Sequence, residues 1–428
     1  MTALTHTILN YFREHAGRSR NTRYSDIKKC LFGIGKGLLI LFATYYIIVF
    51  IILAFLRISA FIEYDWLEGM QLLQVHRFLA GMPLYTPPSS EYIPLLYEPL
   101  YTYVSAAVAF LMGESYASLR FVSLISTLGT LVMIGMLVRG MTGSKQAAWV
   151  AAGLYAGMYG VVGFWFDVAR VDALFVFFTV TTAYFIRIAS LKGGMAVLWA
   201  AGAATCAALT KQTALVPIVS LCAWCFFVRN RRATFTAILC LVAVSLSQII
   251  PTISSDGWFY YYVYQVPSSH PISKRLVLHF LTADFLRHLC VGFLLAIYAV
   301  CVLWGKHKGR RDALFFLFFL LAMVFAGLAP RFKIGGHVNN LMPLAVILAL
   351  GGGLLMGYLE KLKIRASIAV VILLLLFNLQ ILYWPPKAMP ASEALARTRI
   401  QLRIYQSLEG PIFARSEEHT SELQSPNT

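Results

Sequence analysis

The sequence predicts an all-α protein, a polytopic membrane helix bundle of about eleven transmembrane helices with one large outer loop after the first. Three observations predict it. Hydrophobic residues make up 59% of the 428 residues and charged residues only 13%, more apolar surface than a soluble domain of this length needs. The mean hydropathy is +0.70, and the apolar runs recur at about 17–25 residues, enough to cross a bilayer as helix. The Lys and Arg residues behind a net charge of +17 fall largely in short loops between those runs. That distribution is a topology signal and excludes nucleic acid as a partner.

Taken in order, the first 35 residues form a basic segment with no signal-peptide cleavage pattern, expected to be cytoplasmic. Apolar runs follow near 36–56, 117–138, 147–166, 173–190, 195–210, 213–228, 234–253, 289–304, 313–329, 339–358 and 366–384. A further run, 99–112, is shorter, begins in a Tyr/Pro cluster and ends at Gly113-Glu114. Read as an interfacial helix, it leaves 21 of the 36 Lys and Arg residues on one face, as the positive-inside rule requires. The cysteines suggest no disulfide. Cys222-x-x-Cys225 has redox spacing but sits within a span, where packing is the expected role. Residues 36–385 form the transmembrane module, and 386–414 begin an outer C-terminal region expected to be truncated near Ala414. Residues 415–428 look like the translation of a sequencing adapter and are left out of the fold reasoning.

This topology puts every unusual polar cluster on the outer side. The 57–116 loop carries Asp65-Trp66-Leu67-Glu68-Gly69, Gly81-Met82-Pro83-Leu84-Tyr85 and Tyr97-Glu98-Pro99-Leu100-Tyr101. Asp65 and Glu68 would share one face of a helix. Either suits a general base that takes a proton from a hydroxyl; the plainer reading is a solvated loop acid. Asp167, Arg170 and Asp172 open the fourth span, and Arg170 suits a phosphate as well as a helix-end ion pair. Lys211 and Gln212 lie between two short runs, where the lysine either holds a phosphate or snorkels. Arg331, Lys333, His337 and Asn339 precede the tenth span in a glycine-containing stretch that suits an anion at a helix start, or a plain turn. The run Trp258 to Tyr264 fits an aromatic membrane belt by default and a sugar-stacking platform as the alternative. No metal-ligand spacing is present; a divalent cation is left open as a cofactor.

At these residues the chain resembles the GT-C class of integral-membrane glycosyltransferases, and more closely bacterial relatives of the protein O-mannosyltransferases and aminoarabinose transferases. The resemblance covers about residues 36–385. It rests on the acidic motif after the first span, Gly-x-Pro-x-Tyr, Tyr-x-Pro-Leu-Tyr, Arg-x-Asp, Lys-Gln-Thr and Lys-x-Gly-x-x-x-Asn, in that order. It implies a GT-C-type bundle in the plasma membrane with an extracytoplasmic site, a polyprenyl-phosphate sugar as donor and a hydroxyl acceptor. It also implies a base at Asp65 or Glu68, a second acid at Asp172 with Arg170 beside it, donor-phosphate contacts at Lys211 or Lys333, and a polar contact at Asn339. Gln212, Arg331, His337 and Tyr97 join these as candidate substrate contacts. Many relatives have Asp-Glu-Gly where this chain has Leu67-Glu68-Gly69, and Lys where it has Tyr97 or Glu98 before Pro99. A transporter or lipid flippase is the rival reading, and would favour internal repeats and midplane charges; a non-catalytic scaffold would leave the acidic loop unexplained.

Overall fold

The computed structural model describes residues 32–90, 92–305 and 309–407. The basic N-terminal segment up to residue 31, the loop cations Lys306 and Lys308, and the adapter-like tail lie outside the described residues. Each of the eleven apolar runs contains a helix, though the run 147–166 is helical only to residue 157: α1 Phe32–Ile58, α4 Tyr116–Thr142, α5 Lys145–Gly157, α6 Val171–Lys192, α7 Ala196–Ala208, α8 Leu215–Phe227, α9 Arg231–Ser254, α10 Lys274–Trp304, α11 Arg310–Arg331, α12 Val338–Lys361 and α13 Ile364–Gln380. The first loop adds α2 Leu67–Leu79 and α3 Leu100–Met112, and α14 Ser392–Ser407 follows the last run.

Helix ends carry the chemistry their sequences supply. Ser115, Ser144 and Asn230 cap α4, α5 and α9 by accepting from backbone N–H groups. Gly143, at φ +77°, ends α4 in the left-handed conformation that glycine takes freely. The α4–α5 corner therefore stops one helix and starts the next within two residues.

Seven described helices are long and apolar enough to cross a membrane, or eight if α13 and the helix bent from it by 52° form one span. The difference from eleven lies in α5, α7 and α8, of 13 residues each. At about 1.5 Å per residue such a helix covers about 20 Å of a roughly 30 Å core. The cause is local. Residues 158–170 leave helical geometry after α5, and 209–211 do so between α7 and a 3-10 turn, Gln212–Ala214, that leads into α8. Irregular backbone at membrane depth is tolerated only where protein or a cavity surrounds it, and both stretches are largely buried. They carry Asp167, Arg170 and Lys211. The run 99–112 is a 13-residue helix, as its length suggested.

At the centre stands α12, with 94% of its apolar window buried. A helix that is apolar all round belongs inside. Small residues let its neighbours approach: a Cβ on Gly351 would lie 2.7 Å from the Ala296 Cα of α10, and one on Gly353 would collide with Ala151 of α5. This close packing fixes α12, whose first turn carries Asn339, beside α5 and α10, and the Asn339 amide reaches Asp172 of α6.

Candidate active site

Four buried acids meet four cations on the first loop, the 158–170 segment and the start of α6. Asp65 pairs with Arg170, Glu68 with Arg120, Asp167 with Arg57 and Asp172 with Lys211. All eight side chains are buried. Charges in such a place persist only when paired and hydrogen-bonded.

The two first-loop acids differ in what remains free on each. Glu68 accepts from Arg120 Nε at 2.9 Å and Nη2 at 2.6 Å, and from the backbone N–H groups of Tyr64 and Ala169, both at 2.7 Å. Each oxygen takes two donors, and the residue is 0% exposed. Nothing is left for a substrate hydroxyl. Arg120 also donates to the carbonyls of Ala60 and Ile62, both at 2.6 Å, so it pins the first loop onto α4. Asp65 has one cationic partner, Arg170, bonded through Oδ2. Arg170 in turn donates to Tyr97 Oη at 2.6 Å and lies over the Tyr97 and Trp165 rings. Trp165 stacks on exposed His337, with centroids 6.4 Å apart.

A second group adjoins through Val171. Asp172 accepts from Lys211 Nζ at 2.6 Å and from Asn339 Nδ2 at 3.1 Å, and Lys211 also donates to Asn340 Oδ1 at 3.1 Å. Gln212 donates to the Leu96 carbonyl at 3.3 Å. Among the described residues, Glu98 Oε2, Gln212 Oε1, Thr213 Oγ1 and Asn339 Oδ1 are buried around these groups without a hydrogen-bond partner.

The turn that feeds Asp167 and Arg170 into place has positive φ at Gly163 (+66°) and, unusually, at Phe164 (+63°). A bulky residue is strained there. The Phe164 carbonyl accepts from Arg57 Nη2 at 3.1 Å, while Arg57 Nη1 holds the Ala388 carbonyl at 2.6 Å. One guanidinium thus stabilises the turn and its acid.

Arg331 and Lys333 lie in a third group. Arg331 spends its nitrogens on Asp284 at 3.0 Å, the Gly336 carbonyl at 3.1 Å and His279 at 3.0 Å, and is buried. It braces the stretch leading to α12 rather than presenting a free guanidinium. Lys333 donates to the Pro267 carbonyl at 2.7 Å, and among the described residues no carboxylate neutralises it. The aromatic run 258–264 folds onto the first loop: Phe259 meets Tyr85 edge-on, and Tyr264 reaches Glu98 at 3.2 Å. Tyr85, which lines a cavity of about 360 Å³, donates to the Tyr97 carbonyl at 2.7 Å.

Among the described residues no cation pairs with Glu98, and burial pushes its carboxyl up to about 8 against the Tyr264 hydrogen bond. The ordinary value is 4.5. Between those values the folded state keeps a proton that the unfolded chain has lost, so stability falls as pH rises from about 4.5 to about 8 and then levels off. The Tm of the wild type is therefore expected to drop by several degrees over this window, and Glu98→Gln to flatten the curve. Parallel Tm–pH curves for the two proteins would contradict this.

Arg120, Arg57 and Tyr64 were not singled out from the sequence. Arg120 did carry a signal, as a lone cation four residues inside an apolar run, where an ionisable group has a partner or a function. Among the described residues no three His, Cys, Asp or Glu side chains group as metal ligands.

Comparison with known proteins places this architecture. Residues 94–254 match the family described as dolichyl-phosphate-mannose-protein mannosyltransferase. ArnT from Cupriavidus metallidurans, in the apo state, superposes with a TM-score of 0.57 at 17% identity, over 78% of this chain and 62% of that one. The chain has the GT-C fold. ArnT bound to undecaprenyl phosphate gives a TM-score of 0.53 at 17% identity with the same coverage. The GT-C oligosaccharyltransferase AglB from Archaeoglobus fulgidus, in complex with an inhibitory peptide and a dolichol-phosphate, gives 0.54 at 12% identity, over 87% of this chain and 61% of that one. The chain thus spans about three fifths of the length of these GT-C structures. No curated protein matches its sequence.

Proposed function

We propose that this protein transfers a sugar from a polyprenyl-phosphate donor to a hydroxyl acceptor at the extracytoplasmic face, in one inverting displacement. The observation that carries the reading is a set of unpartnered buried polar atoms around the charged groups: the amide oxygens of Gln212 and Asn339, which need donors, and Glu98 Oε2, which burial keeps protonated near neutral pH and in need of an acceptor. A buried acceptor left without a donor costs about 1–3 kcal/mol. A sugar hydroxyl both donates and accepts, and so can meet either need. The GT-C fold, and the lipid phosphates bound by ArnT and AglB, agree with such a donor.

In the proposed reaction the acceptor O–H gives its proton to the free oxygen of Asp65 as its oxygen bonds to the anomeric carbon. The anomeric carbon–phosphate oxygen bond breaks, and polyprenyl phosphate leaves with the electron pair. Arg170 holds the Asp65 carboxylate in position. Lys333, which among the described residues donates to a neutral carbonyl and pairs with no carboxylate, is the cation proposed for the donor phosphate, with His337 four residues on. Glu68, Asp172, Lys211 and Arg331 are assigned to scaffolding, since each is consumed by partners within the protein.

The test is transfer from a panel of radiolabelled polyprenyl-phosphate sugars by membranes carrying the protein, with Lys333→Met alongside. Lys333→Met is expected to raise KM for the donor about tenfold, on the order of one charge-assisted contact, with kcat little changed. Folded protein that consumes no donor in the panel would overturn the reading.

A further inference from the structure

At the far end of α4 from the active site, a groove of about 430 Å³ opens on the outer surface of the bundle. Its walls are Ile47 and Ile51 of α1, Val132 and Met136 of α4, and Trp149 of α5, with Gly135 as its floor. One end carries two cations, Arg139 near the close of α4 and Lys145 at the start of α5. Both are exposed, and among the described residues neither takes part in an ion pair. Arg120, which holds Glu68, lies 19 residues before Arg139 on the same helix, or about 28 Å away at 1.5 Å per residue. The groove is therefore separate from the catalytic groups.

We propose that this groove binds an anionic diacyl phospholipid of the surrounding bilayer, its phosphate between Arg139 and Lys145 and one acyl chain along α4. Two features select this occupant. From Leu128 to Arg139 the groove follows α4 over 12 residues, about 17 Å, close to half of a roughly 30 Å hydrocarbon core. It is one leaflet deep. Its polar end carries two unneutralised positive charges at the level where a phosphate sits, so a zwitterionic headgroup gains less there than an anionic one. The missing side chain at Gly135 keeps the floor open, since the nearest atom to a Cβ there is the Ala148 carbonyl oxygen at 3.6 Å. Trp149 is fixed as a wall by its indole N–H, which donates to Thr44 Oγ1 at 2.9 Å. The proposal needs only a membrane-embedded bundle and does not rest on the transferase reading.

Native mass spectrometry of the detergent-purified full chain, titrated with dioleoylphosphatidylglycerol or dioleoylphosphatidylcholine, tests it. The expected result is binding of phosphatidylglycerol on the order of tenfold tighter than phosphatidylcholine. Arg139→Gln/Lys145→Gln should abolish that preference without changing Tm, because both side chains are exposed and unpaired. Gly135→Leu, which fills the floor, should weaken both lipids. Equal binding of the two lipids by the wild type would overturn the proposal, as would a preference that survives the double substitution. Undecaprenyl phosphate displacing phosphatidylglycerol at sub-stoichiometric concentration would also overturn it, making the groove a carrier-lipid site.

Discussion

Asp65→Asn is expected to lower kcat for sugar transfer by about 10²–10⁴-fold, the range of a lost general base, while donor affinity stays within a few-fold. The asparagine keeps the shape of the carboxylate and can still accept from Arg170 through its amide oxygen. It loses the charge and the basic lone pair. Arg170 remains bonded to Tyr97, so the pocket wall stays in place and the change falls on the proton-transfer step. Single-turnover transfer from a labelled donor, measured with donor binding on the same preparation, separates the two effects. A variant within threefold of wild-type turnover would move the base elsewhere. Loss of donor binding in step with turnover would make Asp65 a substrate contact instead.

Glu68→Gln is expected to fail differently, through stability. The glutamine places an NH₂ group against donors on Arg120 and on a backbone N–H, where Glu68 offers two acceptor oxygens. Breaking a buried pair from one side costs about 3–5 kcal/mol, because the remaining charge stays buried and uncompensated. The expected readout is a Tm many degrees below wild type and a low yield of folded protein. Arg120→Met should reproduce the loss, since it unpairs the same carboxylate. If Glu68→Gln instead melts like the wild type and has lost turnover, the two acids have exchanged roles.

The separation of these two acids marks where sequence reasoning ran out. Position and spacing placed Asp65 and Glu68 on one loop beside the bundle, and the structure keeps both among the buried charges. The polar clusters at 65–68, 97–98, 167–172, 211–212 and 337–340 are linked by hydrogen bonds and ring contacts, as their expected common face suggested. Which acid is exhausted by its partners depends on Arg120, Tyr64 and Ala169, residues 4 to 101 positions away along the chain. No local pattern encodes that. Arg331 shows the same limit: a cation beside glycines before a helix read as an anion site, while Asp284, 47 positions earlier, takes up its guanidinium. The helical runs themselves were plain from hydropathy. The shortness of α5, α7 and α8 was not, because the residues that break them are apolar or singly polar and leave the helix only to bring Arg170 and Lys211 inward.

Arg120 also bears on how the protein is made. The loop it anchors precedes it in the chain, so a ribosome delivers Glu68 before the helix that neutralises it exists. Until α4 enters the bilayer, the loop has only water to satisfy its carboxylates and must wait on the aqueous side. Asn339 arrives much later still and completes the hydrogen bonds of Asp172. The hydrogen bonds of the pocket can therefore be complete only after α12 has been made, since Asn339 belongs to it. A nascent chain released before that point would carry the motif without the site.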